Sequence, residues 1–149
     1  YNLFKLKKIG FKKLHGYEIS KNAIGLAKIH NKKIQSDINF DVLDITEKLP
    51  NFTGKIIFTV GCLEQLKHSM NKVVQNIIDS NPKLVINFEV DYDNASFLTR
   101  KYFDVADFQN NLVQEINKNK NIEIISIDKL DVDISPLNTI SAIIWKPIT

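Results

Sequence analysis

Lys55-Ile56-Ile57-Phe58-Thr59-Val60 is an unbroken apolar run that stops at Gly61. Strands buried on both faces read this way, whereas a sheet with one wet face alternates apolar and polar residues. Pro50 and Gly54 punctuate the loop before it. Pro82 precedes a second run of the same kind, Leu84-Val85-Ile86-Asn87-Phe88-Glu89. Between the two runs, Ser69 to Asp79 has helical spacing. Strand, helix and strand in this order build a parallel sheet, so the first run is expected to be a central strand.

The same alternation extends towards the N-terminus. Leu3 to Ile9 reads as a short helix stopped by Gly10, and Phe11 to Glu18 leads through a strand to an acidic tip. Ser20 is a good N-cap for a helix to about Asn31, with Ala23, Ile24 and Ala27 as its inner face. A strand from Ile38 to Leu43 follows. Beyond Glu89, Asp91 to Lys101 reads as a polar connection, Asp104 to Lys118 as a helix, and Ile122 to Ile127 and Thr139 to Trp145 as two strands. The loop between these last strands holds Asp131, Asp133, Pro136 and Asn138 and has no room for a crossover helix. Such a connection fits antiparallel pairing. The expected architecture is therefore a mostly parallel α/β sheet with one reversed strand at its end. With no linker and no repeat in its 149 residues, the chain is expected to form one domain.

Composition narrows the function classes. A hydrophobic fraction of 44% and a charged fraction of 25% suit a soluble globular protein, and no apolar run approaches the roughly 18 to 20 residues of a membrane span. Cys62 is the one cysteine, so no internal disulfide forms, and neither a secretory signal nor a metal-type Cys/His spacing is visible. A cytoplasmic location is the resulting expectation, with no metal. The net charge of +3 comes from lysine; Arg100 is the single arginine, which leaves almost no bidentate forks for phosphate or guanine. Lys5, Lys7, Lys8, Lys12 and Lys13 read as a solvated face, and no nucleic-acid partner is expected.

Glu18 and Asp44 each follow a short apolar segment, Leu14 to Tyr17 and Phe40 to Leu43. In alternating α/β chains ligands sit outside the carboxyl ends of the strands, where a carboxylate accepts hydrogen bonds from a ribose diol. Together with Gly16-Tyr17-Glu18-Ile19-Ser20, Asp44-Ile45, Thr59-Val60-Gly61-Cys62-Leu63-Glu64-Gln65-Leu66 and the terminal hairpin to Pro147, the pair gives a chain that resembles the class I S-adenosylmethionine-dependent methyltransferases over nearly its whole length. The resemblance implies a Rossmann-like three-layer sandwich and S-adenosylmethionine as cofactor. It implies that Glu18, with Ile19 beside it, binds the ribose, and that Asp44 and Ile45 read adenine by side chain and backbone. It also implies that Gly61 and Cys62 lie near the methionyl part. The family's first strand and glycine-rich loop have no counterpart after Tyr1. They are expected to precede Tyr1, because an absent central strand leaves two strand edges unpaired. Tyr1 and Asn2 would then adjoin that loop.

The resemblance implies methyl transfer to a small or medium-sized molecule, with the acceptor atom and the oligomeric state open. His68, Glu64 and Glu89 lie near carboxyl ends of strands and are candidates for a general base. Asp91, Tyr92, Phe97 and Asn138 are candidates for the acceptor pocket. Two rivals stay open: a nicotinamide-dependent oxidoreductase, which shares the acidic tip after its second strand, and a noncatalytic methyltransferase-like partner subunit.

Overall fold

In the computed structural model, residues 2–130 and 139–148 are described, and the chain divides into two compact units, Tyr1–Glu47 and Lys48–Thr149. The N-terminal unit runs α1 (Asn2–Lys8), β1 (His15–Glu18), α2 (Lys21–Lys33) and β2 (Asn39–Val42). Gly10 closes α1 at φ +103°, a conformation that costs glycine little, and its N–H donates to the Lys7 carbonyl at 3.1 Å. Ser20 caps α2 as expected, its hydroxyl accepting from Ala23 N at 3.2 Å. Of the predicted inner face only Ile24 is buried; Ala23 is exposed because it lies in the capped first turn.

β1 and β2 pair in parallel with His15 opposite Asn39 and Glu18 opposite Val42. Ile24, Ile38 and Phe40 form the core of this unit, with Leu3, Phe4, Leu14 and Ala27 packed on it. The packing is close at Gly16. A β-carbon there would stand 2.6 Å from Leu3 Cδ1 and 2.7 Å from Phe40 Cδ1, so only glycine lets α1 and β2 reach the strand.

The C-terminal unit contains β3 (Ile56–Val60), a short 3₁₀ turn (Lys67–Ser69), α3 (Met70–Asp79), β4 (Leu84–Val90), α4 (Phe97–Val105), α5 (Leu112–Lys118), β5 (Ile122–Leu130) and β6 (Ile140–Pro147). Its strands form one sheet in the order β3-β4-β6-β5. β3 and β4 are parallel; β6 is antiparallel to both β4 and β5. α3 buries Met70, Val73, Val74 and Ile77, the spacing of one apolar helix face.

Four expectations change. β3 is an outer strand of its sheet among the described residues, and Ile56 and Val60 are exposed at 56% and 46%, so its apolar run does not mark burial on both faces. The reversed strand β6 sits between β4 and β5 instead of at the sheet's end. The polar stretch after Glu89 holds a helix, α4, capped by Ser96, whose hydroxyl accepts from Thr99 N. The single helix read over Asp104 to Lys118 is divided: Asp107 has φ +53°, and the Gln109 side chain accepts from Leu112 N at 3.0 Å to start α5.

Two glycines give opposite outcomes. Gly16→Ala should destabilise the fold by about 1–3 kcal/mol through overpacking. Gly25→Ala, whose new methyl meets nothing within 4 Å inside α2, should stabilise it by roughly 0.5–1 kcal/mol. Urea midpoints of the two variants check both signs.

Candidate functional site

In the N-terminal unit the parallel register carries both acidic tips to one edge. Glu18 ends β1, and its carbonyl accepts from Leu43 N at 3.1 Å, which places Asp44 directly beyond the end of β2 on the same side. Glu18 is exposed, and one carboxylate oxygen accepts from Ser20 N at 3.0 Å. Its other oxygen has no hydrogen bond among the described residues. Asp44 is half-buried; its Oδ1 accepts from Thr46 N at 2.8 Å and Thr46 Oγ1 at 2.7 Å, an Asx turn that sets the path of Ile45. Ile19 is exposed beside Glu18, and Asn2 is the first residue of α1. Tyr1 lies outside the described residues.

In the C-terminal unit the candidates after β3 gather around a buried carboxylate. Gly61 turns out of β3 at φ +54°, its N–H donating to the Phe88 carbonyl at 2.9 Å. A β-carbon at Gly61 would meet nothing within 4 Å, so this turn faces open space. Cys62 is exposed. Glu89 is wholly buried, and its two oxygens accept from Cys62 N at 3.2 Å and Leu63 N at 3.0 Å. Burial pushes its pKa up against the opposing pull of the Thr59 hydroxyl and the two amides. Glu64 is half-buried and is also pushed up by desolvation.

His68 takes a different position. Its side chain is 80% exposed, and its Nε2 lies 3.0 Å from Asp107 Oδ2. Lys67, 3.1 Å from the other oxygen, and His68 hold the Asp107 carboxyl below the usual carboxylate range. Asp91 is buried and engaged by Asn94 N at 3.0 Å, Asn94 Nδ2 at 2.8 Å and the Ser141 hydroxyl. It secures the ends of β4 and β6. Tyr92 donates to Asp104 at 3.0 Å under the Arg100 guanidinium, and Phe97 is exposed on α4 beneath Lys101. The cavity that Asp91 and Tyr92 line with Gln109 and Ile143 has about 20 Å³, space for about one water. Asn138 lies outside the described residues.

Two buried polar residues of this region, joined by a hydrogen bond from Asn87 Nδ2 to Thr59 Oγ1 at 2.9 Å, carry no signal of their own in the sequence. Thr59 and Asn87 sit inside apolar runs where only the cross-strand register, Thr59 opposite Asn87, joins them. Among the described residues no group of three or more His, Cys, Asp or Glu is arranged to hold a metal ion, and no helix is long and apolar enough to cross a membrane.

The raised pKa of Glu89 has a stability consequence. A carboxyl whose folded pKa lies above its unfolded value favours the fold fully below the unfolded value, about 4.5, and loses that contribution as pH rises through the folded value. The stability of the wild type relative to Glu89→Gln should therefore fall as pH rises above 4.5. Urea titrations from pH 4 to about pH 8 read the slope, and a flat difference contradicts it.

No protein-family model matches the sequence, and no curated protein matches it. Solved structures do match. The PH0226 protein from Pyrococcus horikoshii OT3 superposes with a TM-score of 0.75 at 14% identity, over 98% of this chain and 76% of its own. LepI in complex with SAM gives 0.73 at 10% identity, over 98% of this chain and 39% of its own. The N-methyltransferase NodS from Bradyrhizobium japonicum WM9, in complex with S-adenosyl-L-homocysteine, gives 0.68 at 11% identity, over 92% of this chain and 67% of its own. At these identities the likeness shows the fold: the chain has the mixed α/β, Rossmann-like fold of methyltransferase structures.

Proposed function

We propose that this chain takes part in S-adenosylmethionine-dependent methyl transfer to a small or medium-sized molecule. The observation that carries the reading is the placement of Glu18 and Asp44 at one carboxyl edge of the β1–β2 pair, the geometry a nucleoside needs. Glu18 has an exposed carboxylate oxygen for a ribose hydroxyl. The Asx turn of Asp44 presents the Ile45 backbone in a set conformation beside it. In the C-terminal unit, Gly61 opens a stretch of main chain to close approach. S-adenosylmethionine, when bound, supplies an electrophilic methyl group on its sulfonium. The residues of this chain then bind, orient and exclude water, and alignment alone can supply about 7–11 kcal/mol of a barrier.

No safe general base emerges from the three candidates. Glu89 is spent on backbone amides, His68 points into solvent, and Glu64 is half-buried with a carboxyl that burial keeps partly protonated to higher pH. An acceptor that is already nucleophilic, such as an amine or an activated hydroxyl, fits this arrangement. Neighbours crystallised with SAM and with S-adenosyl-L-homocysteine support the cofactor at the level of fold.

Calorimetry of the native protein with S-adenosylhomocysteine and with NAD tests the reading. Binding of the former and not the latter is expected. Glu18→Ala should weaken binding by about 1.5–3 kcal/mol, the worth of hydrogen bonds to a charged group, without changing the unfolding midpoint. Binding of NAD alone points to an oxidoreductase, and binding of neither to a noncatalytic subunit.

A further inference from the structure

The amino edge of the β1–β2 pair, opposite the edge that carries Glu18 and Asp44, is basic and apolar at once. Each helix of the N-terminal unit ends where its strand is about to begin, so residues 9–14 lead into β1 and residues 34–38 into β2. The strands start in register, His15 opposite Asn39, and Asn39 N donates to the Leu14 carbonyl at 3.2 Å, which brings both turns to the same edge. Lys8, Lys12, Lys13, Lys32 and Lys33 are exposed and have no ion pair among the described residues. Asp37, the one acid of the two turns, is already paired with Lys7.

Lysines in the last turn of a helix complement its macrodipole, which accounts for Lys8, Lys32 and Lys33. It does not account for Lys12 and Lys13, nor for the apolar side chains set among them. Ile9 is 73% exposed, Phe11 54% and Ile34 48%, in turns where polar residues are the rule. The first turn is also firmly built. Gly10 and Lys13 take left-handed conformations at φ +103° and +57°, and Gly10 N and Phe11 N donate to the Lys7 and Leu6 carbonyls at 3.1 Å each, the paired bonds of a Schellman helix end. Ile9 and Phe11 are thus held on ordered backbone, so little conformational freedom is lost when they dock.

A surface with anionic groups above a hydrocarbon layer matches both halves of this edge. Ammonium groups pair with the headgroups, and Ile and Phe enter the acyl boundary. Nucleic acid matches one half. Its phosphates accept from lysine, but Ile9 and Ile34 have no aromatic face for a base to stack on, and the unit contains no arginine.

We propose that the amino edge of the N-terminal unit docks on an anionic phospholipid bilayer, with the lysines on the headgroups and Ile9, Phe11 and Ile34 in the acyl boundary. Such docking is peripheral and needs no spanning helix. The strands are four residues long, roughly 13 Å, so Glu18 and Asp44 stay on the edge away from the bilayer. The inference does not depend on the methyl-transfer reading.

Flotation of the native protein with vesicles tests it. Phosphatidylcholine vesicles containing about one-third phosphatidylserine should carry the protein, and pure phosphatidylcholine should not. Raising salt from about 0.1 M to about 1 M, which shortens the Debye length from about 10 Å to about 3 Å, should release most of it. Lys12→Gln and Lys13→Gln should each weaken binding to the anionic vesicles roughly fivefold, the worth of one lysine at such a surface. Ile9→Ser combined with Phe11→Ser should weaken it about tenfold or more. Phe11→Trp should shift the emission of the introduced indole to shorter wavelength on the anionic vesicles, against the constant signal of the buried Trp145. A wild type that stays in solution with the anionic vesicles overturns the proposal, as does equal binding to pure phosphatidylcholine. An Ile9→Ser, Phe11→Ser variant that floats like the wild type also overturns it, reducing the contact to charge alone. Binding to duplex DNA or tRNA without flotation assigns the edge to nucleic acid and overturns it as well.

Discussion

Hydrogen bonds from Trp145 to Asn87 and from Asn87 to Thr59 tie three strands of the C-terminal unit together, and the buried Glu89 holds the turn that follows β3. Each member is buried, and each would be costly to leave without its partner. The strand register is thereby locked: a slip of one residue would turn Asn87 and Thr59 to the opposite face and orphan the Trp145 indole. Packing adds to this from one side, where Met70, Val73, Val74 and Ile77 of α3 fill an apolar layer. Polar specificity and apolar bulk thus act on the same sheet by different means.

The N-terminal unit works with fewer buried groups. Its two strands are four residues each, and a two-stranded sheet is marginal unless something covers it. α1 and α2 supply the cover, and Gly16 sets how near Leu3 of α1 comes. The parallel pairing that results puts the tips of β1 and β2 at one edge, which is why two carboxylates far apart in the chain become neighbours. Placement of chemistry here follows from strand direction alone.

Much of this was legible in the residues themselves. Ser20, Gly10, the apolar runs and the two C-terminal strand segments have local physical meaning, and they mark the helix cap, the helix end, the strands and the antiparallel pair expected. The misreadings share a cause. α4 buries only Thr99 and Phe103, while Leu98, Tyr102 and Val105, spaced as one helix face, stay exposed, so the apolar face of its sequence is not the buried one. The break between α4 and α5 depends on Asp107 in a left-handed conformation and on the reach of the Gln109 side chain, neither of which periodicity reports. β3 looks central because Ile and Val favour any strand, while its exposure depends on what lies beside it. Glu89 is the clearest case. As a strand-end acid it resembles Glu18, and only partners 26 and 27 residues away distinguish a buried support from an exposed strand end.

The exposure of Cys62 has a practical side. It is the one sulfhydryl in 149 residues, and it stands on the very turn whose amides Glu89 holds. A maleimide dye attached there would label a single, defined point on the surface, so its fluorescence would follow that turn and no other part of the chain.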